Sequence, residues 1–197
     1  MPVKTAMLKI AEHINDAVKE IDDGEVDLMV EEIQKAKKIF LVGAGRSGLV
    51  AKAFAMRLVQ LGLTAYVVGE TTSPAITKKD LLIAVSGSGK TTNVVNVTKI
   101  AKDIGAKALT ITSYPNADLG QLSDHVVKIK GRTKIDIEKD YTESQLKGHF
   151  SSLTPLGTLF EDTVMIFFDG VIARLMSELG KGESYMKKRH ATLEWFY

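Results

Sequence analysis

Two hydrophobic rhythms run along the 197-residue chain. Residues 4–22 place Met7, Ile10, Ala11, Ile14, Ala17, Val18 and Ile21 at helical spacing, with charged residues between them. Asp22-Asp23-Gly24 breaks that helix, and 25–37 predicts a second with Val26, Met29, Val30 and Ile33 inward. The rhythm then changes to short unbroken apolar runs. Residues 38–42, 64–68, 80–85, 108–112 and 125–129 read as strands, and runs of this kind suit parallel strands buried on both faces. Between them, 47–61 and 91–104 are predicted helices ended by Gly62 and Gly105, and 117–122 is a short one. Residues 130–149 are charged and lack an apolar period, which predicts a long loop: a lid, a binding arm or a disordered stretch. Thr154-Pro155 opens a last large helix, a cap residue followed by Pro at the first position. It runs to about Leu179 with Leu156, Leu159, Phe160, Val164, Ile166, Phe167, Val171, Ile172, Leu175 and Met176, so it is expected to be buried. Gly180 ends it, and a polar tail with Lys187-Lys188-Arg189-His190 follows.

Alternating strands and helices predict an α/β fold with a right-handed, doubly wound, five-stranded parallel sheet. Five strands suit a flavodoxin-like order, in which the first and third strands meet at the switch point. One domain is expected: a helical extension over 1–37, an α/β core over 38–180 and a tail over 181–197. Two helices ahead of the first strand are more than such a sheet needs. They either cover an edge or form a subunit interface.

Composition narrows the function classes. The 26 Lys and Arg are scattered and balanced by 24 Asp and Glu, so there is no nucleic-acid footprint. The absence of cysteine excludes disulfides, thiolate chemistry and zinc–sulfur sites, and fits an intracellular protein. Met1-Pro2-Val3-Lys4 opens an amphipathic helix and not an apolar signal region. No apolar run approaches the roughly 18 residues of a membrane span. A soluble, cytoplasmic protein is the expectation.

Candidate chemistry gathers where strands end. Asp80–Val85 runs into Ser86-Gly87-Ser88-Gly89-Lys90-Thr91-Thr92, and Lys38–Val42 runs into Gly43-Ala44-Gly45-Arg46-Ser47-Gly48. Each is a strand entering a Gly/Ser turn at a helix N-terminus, which suits an anion: free amides and the helix dipole favour negative charge, and hydroxyls add donors. Ser88-Gly89-Lys90-Thr91 imitates the end of a P-loop, but Ala84 stands where that motif needs glycine. Gly43, Gly45 and Gly48 satisfy the dinucleotide pattern, with Glu70 placed like a ribose-binding acid. Ser47 and the second serine turn argue instead for one small phosphorylated ligand held by both turns. The polar loop Gly69-Glu70-Thr71-Thr72-Ser73-Pro74 leaves the second strand at the same sheet edge.

In the last helix Asp162 and Asp169 are seven apart, which fits a solvated stripe. Glu161 has Val164, Met165 and Phe168 at its three-, four- and seven-residue neighbours. It is either an acid complementing the helix dipole or a buried base with a raised pKa. His13, His125, His149 and His190 show no metal spacing. His13 and His125 read as structural; His149 and His190 sit in irregular segments near the other candidates.

Five segments recur in order: Gly43–Gly48, Gly69–Pro74, Ser86-Gly87-Ser88-Gly89-x-Thr91, Pro155-Leu156-Gly157-Thr158-x-Phe160-Glu161, and Arg189-His190-Ala191-x-Leu193-Glu194. In these the chain closely resembles the archaeal and bacterial 6-phospho-3-hexuloisomerases, of the sugar isomerase (SIS) domain superfamily. The resemblance covers nearly the whole chain. It implies interconversion of D-arabino-hex-3-ulose 6-phosphate and D-fructose 6-phosphate with neither metal nor organic cofactor. It further implies a place beside 3-hexulose-6-phosphate synthase in the ribulose monophosphate pathway, and a homotetramer with sites near subunit boundaries. On this resemblance Glu161 is the general base. His190, matching the family's tail, moves the hydroxyl proton and opens the sugar ring, from its own or a neighbouring subunit. Ser47, Ser86, Ser88 and Thr91 hold the phosphate with the Gly45 and Gly87 backbone. Arg46 pairs with the phosphate or a sugar hydroxyl, and Glu70, Thr71 and Ser73 form a substrate loop. An aldose–ketose isomerase and a non-catalytic sugar-phosphate sensor are the rival readings.

Overall fold

A computed structural model of the chain describes residues 3–131 and 157–190. Five parallel strands form its centre: β1 (Ile39–Gly43), β2 (Ala65–Val67), β3 (Leu81–Val85), β4 (Lys107–Thr112) and β5 (His125–Lys128). Their order is β2-β1-β3-β4-β5, the flavodoxin-like arrangement the pattern predicts. Every residue of β3 is buried, as its continuous apolar run requires. Alternate residues serve opposite faces. Ile39, Leu41, Leu81, Ile83 and Val85 pack with α2 (Asp23–Lys35), α3 (Arg46–Gln60) and α6 (Thr158–Glu178). Phe40, Val42, Leu82 and Ala84 pack beneath α4 (Thr92–Ile104) and α5 (Asp118–Leu122). Gly105 closes α4 in the left-handed conformation, φ 89°, which a side chain would resist.

The α3–α6 contact fixes the site described below. Phe54 and Phe168 stack with ring centroids 4.0 Å apart and planes 4° from parallel. Burial of two such rings locks the helices side by side. One edge of α6 escapes the core: Ile166 is exposed, contrary to the expectation of burial on most sides. The reason lies in α1 (Val3–Val18), which ends four residues earlier than the pattern suggests and buries only Ala17. Met7, Leu8 and Val18 stay exposed, and a groove of about 280 Å³ lined by Ile14, Val18, Ile166 and Phe167 runs between α1 and α6.

The loop expected over 130–149 and the Thr154-Pro155 helix start fall almost wholly outside the described residues. The helix itself begins at Thr158, after Gly157. The tail is not irregular throughout: Glu183–Lys188 forms α7. Among the described residues no helix is long and apolar enough to cross a membrane.

Asp80, the acid before β3, has a fully buried side chain. Its Oδ2 accepts from Thr77 N (2.7 Å) and Thr77 Oγ1 (2.8 Å) and lies 3.3 Å from Lys38 Nζ. Asp80 therefore pins the entry of the central strand. Removing one member of a buried pair strands the other, so Asp80→Ala is expected to destabilise the fold by about 3 kcal/mol. A lower urea midpoint at constant slope would show it; an unchanged midpoint would mean the pair contributes nothing net.

Candidate active site

β1 and β3 are hydrogen-bonded neighbours, with Gly43 in register with Val85. The two glycine turns therefore leave the sheet side by side at its C-terminal edge. In the first, Gly45 has φ 58° and ψ −134°, a region essentially reserved for glycine. It caps α3 with no side-chain bond; Gly48 N donates back to Gly45 O at 3.0 Å, which leaves the amides of Arg46 and Ser47 facing the turn. Gly43 and Gly48 let helix and strand touch: a Cβ on Gly43 would sit 2.8 Å from the Ser47 carbonyl. Ser47 is buried behind this turn.

The second turn is braced from β4. Gly87 O accepts from Ser113 N at 3.1 Å, and Ser86 N donates to Ile111 O at 3.1 Å. Ser86 and Thr91 hydroxyls lie 2.9 Å apart, and Lys90 N donates to Ser88 Oγ at 3.2 Å. Thr91 is the N-cap of α4, yet its side chain makes no capping bond. That leaves a second helix N-terminus at the same edge with donors available. The turn carrying Gly45, Arg46 and Ser47 and the turn carrying Ser86, Gly87, Ser88 and Thr91 thus leave neighbouring strands at one edge of the sheet.

Across from it stands the start of α6. Gly157 is its N-cap, at φ 80°. The Glu161 carboxylate folds back over this end: a Cβ on Gly157 would lie 2.8 Å from Glu161 Oε1. Arg46, the first residue of α3, reaches it. Arg46 Nε donates to Glu161 Oε2 at 2.6 Å, and an Nη donates to Asp162 Oδ1 at 2.9 Å. Only 13% of the Glu161 side chain is exposed, against 54% for Arg46. Burial pushes the Glu161 carboxyl above the usual carboxylate range; Arg46 pulls it down and the Asp162 charge pushes it up, for a net rise. A carboxylate raised in this way accepts a proton more readily than a solvated one.

The SIS domain profile matches residues 32–146, more than half of the chain. A protein of Methanocaldococcus jannaschii named 3-hexulose-6-phosphate isomerase is 41% identical over 170 residues, 86% of this chain and 84% of that protein. The chain belongs to the SIS domain family. A relative from Aeropyrum pernix, described as uncharacterized, is 49% identical over 98% of this chain and 93% of its own. A solved Methanococcus jannaschii structure, whose description infers a molecular function of 3-hexulose-6-phosphate isomerase, aligns with TM-score 0.77 at 36% identity, covering 93% of this chain and 96% of that one.

Within this SIS domain several expected roles change. Asp162 is no member of a solvated stripe, because Arg46 lies within its reach; Asp169, about 10 Å further along α6, is exposed as expected. The Ser73 hydroxyl donates to Val67 O at 2.6 Å, and Ser73 N donates to Glu70 O, so Ser73 closes its own loop. Glu70 pairs with Lys52 of α3 at 2.5 Å, and Thr71 is exposed beside it. Both stand next to β2, one strand outside the β1–β3 crevice. His13 Nε2 lies 3.2 Å from Lys130 O and His125 opens β5, both structural as expected. His149 lies outside the described residues.

His190 is not with Glu161 in this chain. It follows α7; Tyr185 of that helix and Arg189, its C-cap, lie against Gly62 at the far end of α3. Lys181 Nζ donates to Leu61 O at 2.7 Å there. Arg46 begins α3 and Gln60 ends it, which separates the two ends by about 20 Å. Two residues with clear places in the site had no such role in the linear reading. Gly157 signals itself only as a glycine four residues before Glu161. Asp162 has no local signal, since its partner is 116 residues away.

Proposed function

We propose that the chain interconverts D-arabino-hex-3-ulose 6-phosphate and D-fructose 6-phosphate through a 2,3-enediolate. The observation that carries this reading is the largely buried Glu161 carboxylate facing Arg46 beside two helix N-termini without side-chain caps. The phosphate sits on the Ser47 turn and the Ser86–Thr91 turn, where helix ends and hydroxyls favour a dianion. Glu161 removes the proton from C2. The C2–H electron pair becomes a C2–C3 double bond, and the C3 carbonyl becomes an oxyanion. Return of the proton to C3, with transfer of the O2 proton to O3, places the carbonyl at C2. One carboxylate on one face serves both carbon transfers.

The hydroxyl transfer suits His190, as does opening of the fructose ring. Since His190 stands at the opposite end of α3 from Glu161 in one chain, the proposal includes a neighbouring copy that supplies it. A homotetramer is the proposed assembly, and the exposed apolar residues of α1 support association. In metabolism the enzyme would act after 3-hexulose-6-phosphate synthase in formaldehyde fixation, or supply pentose phosphate in reverse. The names borne by relatives in this family support the substrate.

Incubating fructose 6-phosphate with the protein in heavy water and following proton NMR separates the readings. Loss of the C3 proton signal is the expected result. Loss at C1 would instead make it an aldose–ketose isomerase. Saturable binding without exchange or new product signals would make it a sensor.

A further inference from the structure

One side chain at the site has no part in the mechanism above. Asp162 lies next to Glu161 on α6 and binds the same guanidinium through a different nitrogen, 2.9 Å from Arg46 Nη. Both carboxylates thus compete for one cation, and that cation is more than half exposed on its other side. A guanidinium has five N–H donors in a planar fork. Two are engaged here, and the others can meet an oxyanion bound at the turn that Arg46 itself belongs to.

We infer that Asp162 is a positioning residue: it shares Arg46 with Glu161, and so keeps the guanidinium in the site when a substrate phosphate draws it off the catalytic carboxylate. This inference rests on the phosphate and base roles proposed above.

The physical consequence follows from the charges. Arg46 lies on Glu161 Oε2, where it masks a lone pair the reaction needs and lowers the carboxylate's basicity. A phosphate dianion bound at the Ser47 turn is a stronger competitor for a guanidinium than a single carboxylate. As Arg46 turns toward it, Glu161 keeps its burial and the repulsion of Asp162, and both make it a better base. Among the described residues, Arg46 from α3 and Asp162 from its own helix are the charged groups that act on Glu161. Asp162 gives the guanidinium a second anchor, so the exchange needs only one of its hydrogen bonds to break. In the absence of Asp162, Arg46 would rest on Glu161 alone and hold it more firmly.

Carbon-13 NMR of the labelled Glu161 carboxyl tests this without turnover. In Asp162→Asn the Glu161 midpoint is expected to fall, since a repelling charge is lost and Arg46 is held more tightly. Asp162→Glu should return it toward the parent. Adding inorganic phosphate to the parent should raise the midpoint, and in Arg46→Ala phosphate should raise it less, by its own charge alone. Turnover gives a second readout. The acid limb of kcat/KM should follow the midpoint downward in Asp162→Asn, with kcat reduced about tenfold. An Asp162→Asn midpoint equal to the parent's would overturn the inference whether or not phosphate binds. So would phosphate binding that leaves the parent's Glu161 midpoint in place. Failure of phosphate to bind would count against the proposed phosphate site, while the Asn and Glu substitutions would still decide the role of Asp162.

Discussion

Glu161→Gln is expected to lower kcat by about a thousandfold while leaving sugar-phosphate binding intact. Gln keeps the size of the side chain and its acceptor oxygen for Arg46, but it cannot take a proton from carbon. The proposed phosphate turns lead into α3 and α4, whereas Glu161 lies on α6, so the loss should fall on kcat and not on affinity. The parent should also show its acid limb above the usual carboxylate range, because burial is the largest influence on Glu161. A base must be ionised, so activity falls as pH drops through that raised value, and Arg46→Ala should move the limb higher still by removing the opposing cation. Isothermal calorimetry with a sugar phosphate, set beside a pH–rate profile, checks each part. Loss of binding together with turnover would assign Glu161 to the architecture and move the base elsewhere.

The second large effect comes from mixing two inactive variants. His190→Asn is expected to reduce turnover by about a hundredfold, as removal of a proton shuttle does. Co-expressed with Glu161→Gln, it should regain roughly a quarter of parental activity if each site takes Glu161 from one chain and His190 from another. The fraction follows from chance assortment: half the sites receive an intact Glu161, and half of those receive an intact His190. The basis is the placement of α7 against Gly62, at the end of α3 opposite Arg46. A mixture no more active than its components would place the complete site in one chain. An unimpaired His190→Asn would remove the residue from the mechanism.

The glycine turns show how far linear pattern reaches. Strand, turn and helix are contiguous at Val42–Leu49 and at Val85–Val95, so their local chemistry alone predicts an anion site at each. Their meeting was also legible, because a five-stranded doubly wound sheet brings its first and third strands together, and Gly43 does face Val85. Glu161 was visible as an acid among apolar neighbours, although the sequence left a dipole role equally open. Its partner was not visible. The hydrogen bond of the Ser73 hydroxyl to Val67 O was not legible, because a loop hydroxyl reads the same whether it faces a ligand or its own turn.

The sequence by itself determined the five strands, the helices between them, the two glycine turns and the side chains those turns present. Hydrophobic periodicity and turn chemistry are properties of neighbouring residues, and they need no knowledge of what packs above them. Tertiary structure alone decided that Arg46 rests between Glu161 and Asp162, and that His190 lies at the other end of α3. Both facts depend on α3 and α6 packing side by side through Phe54 and Phe168, 114 residues apart. That contact sets which helix ends coincide, and a helix carries its two ends to opposite sides of the sheet whatever the sequence between them.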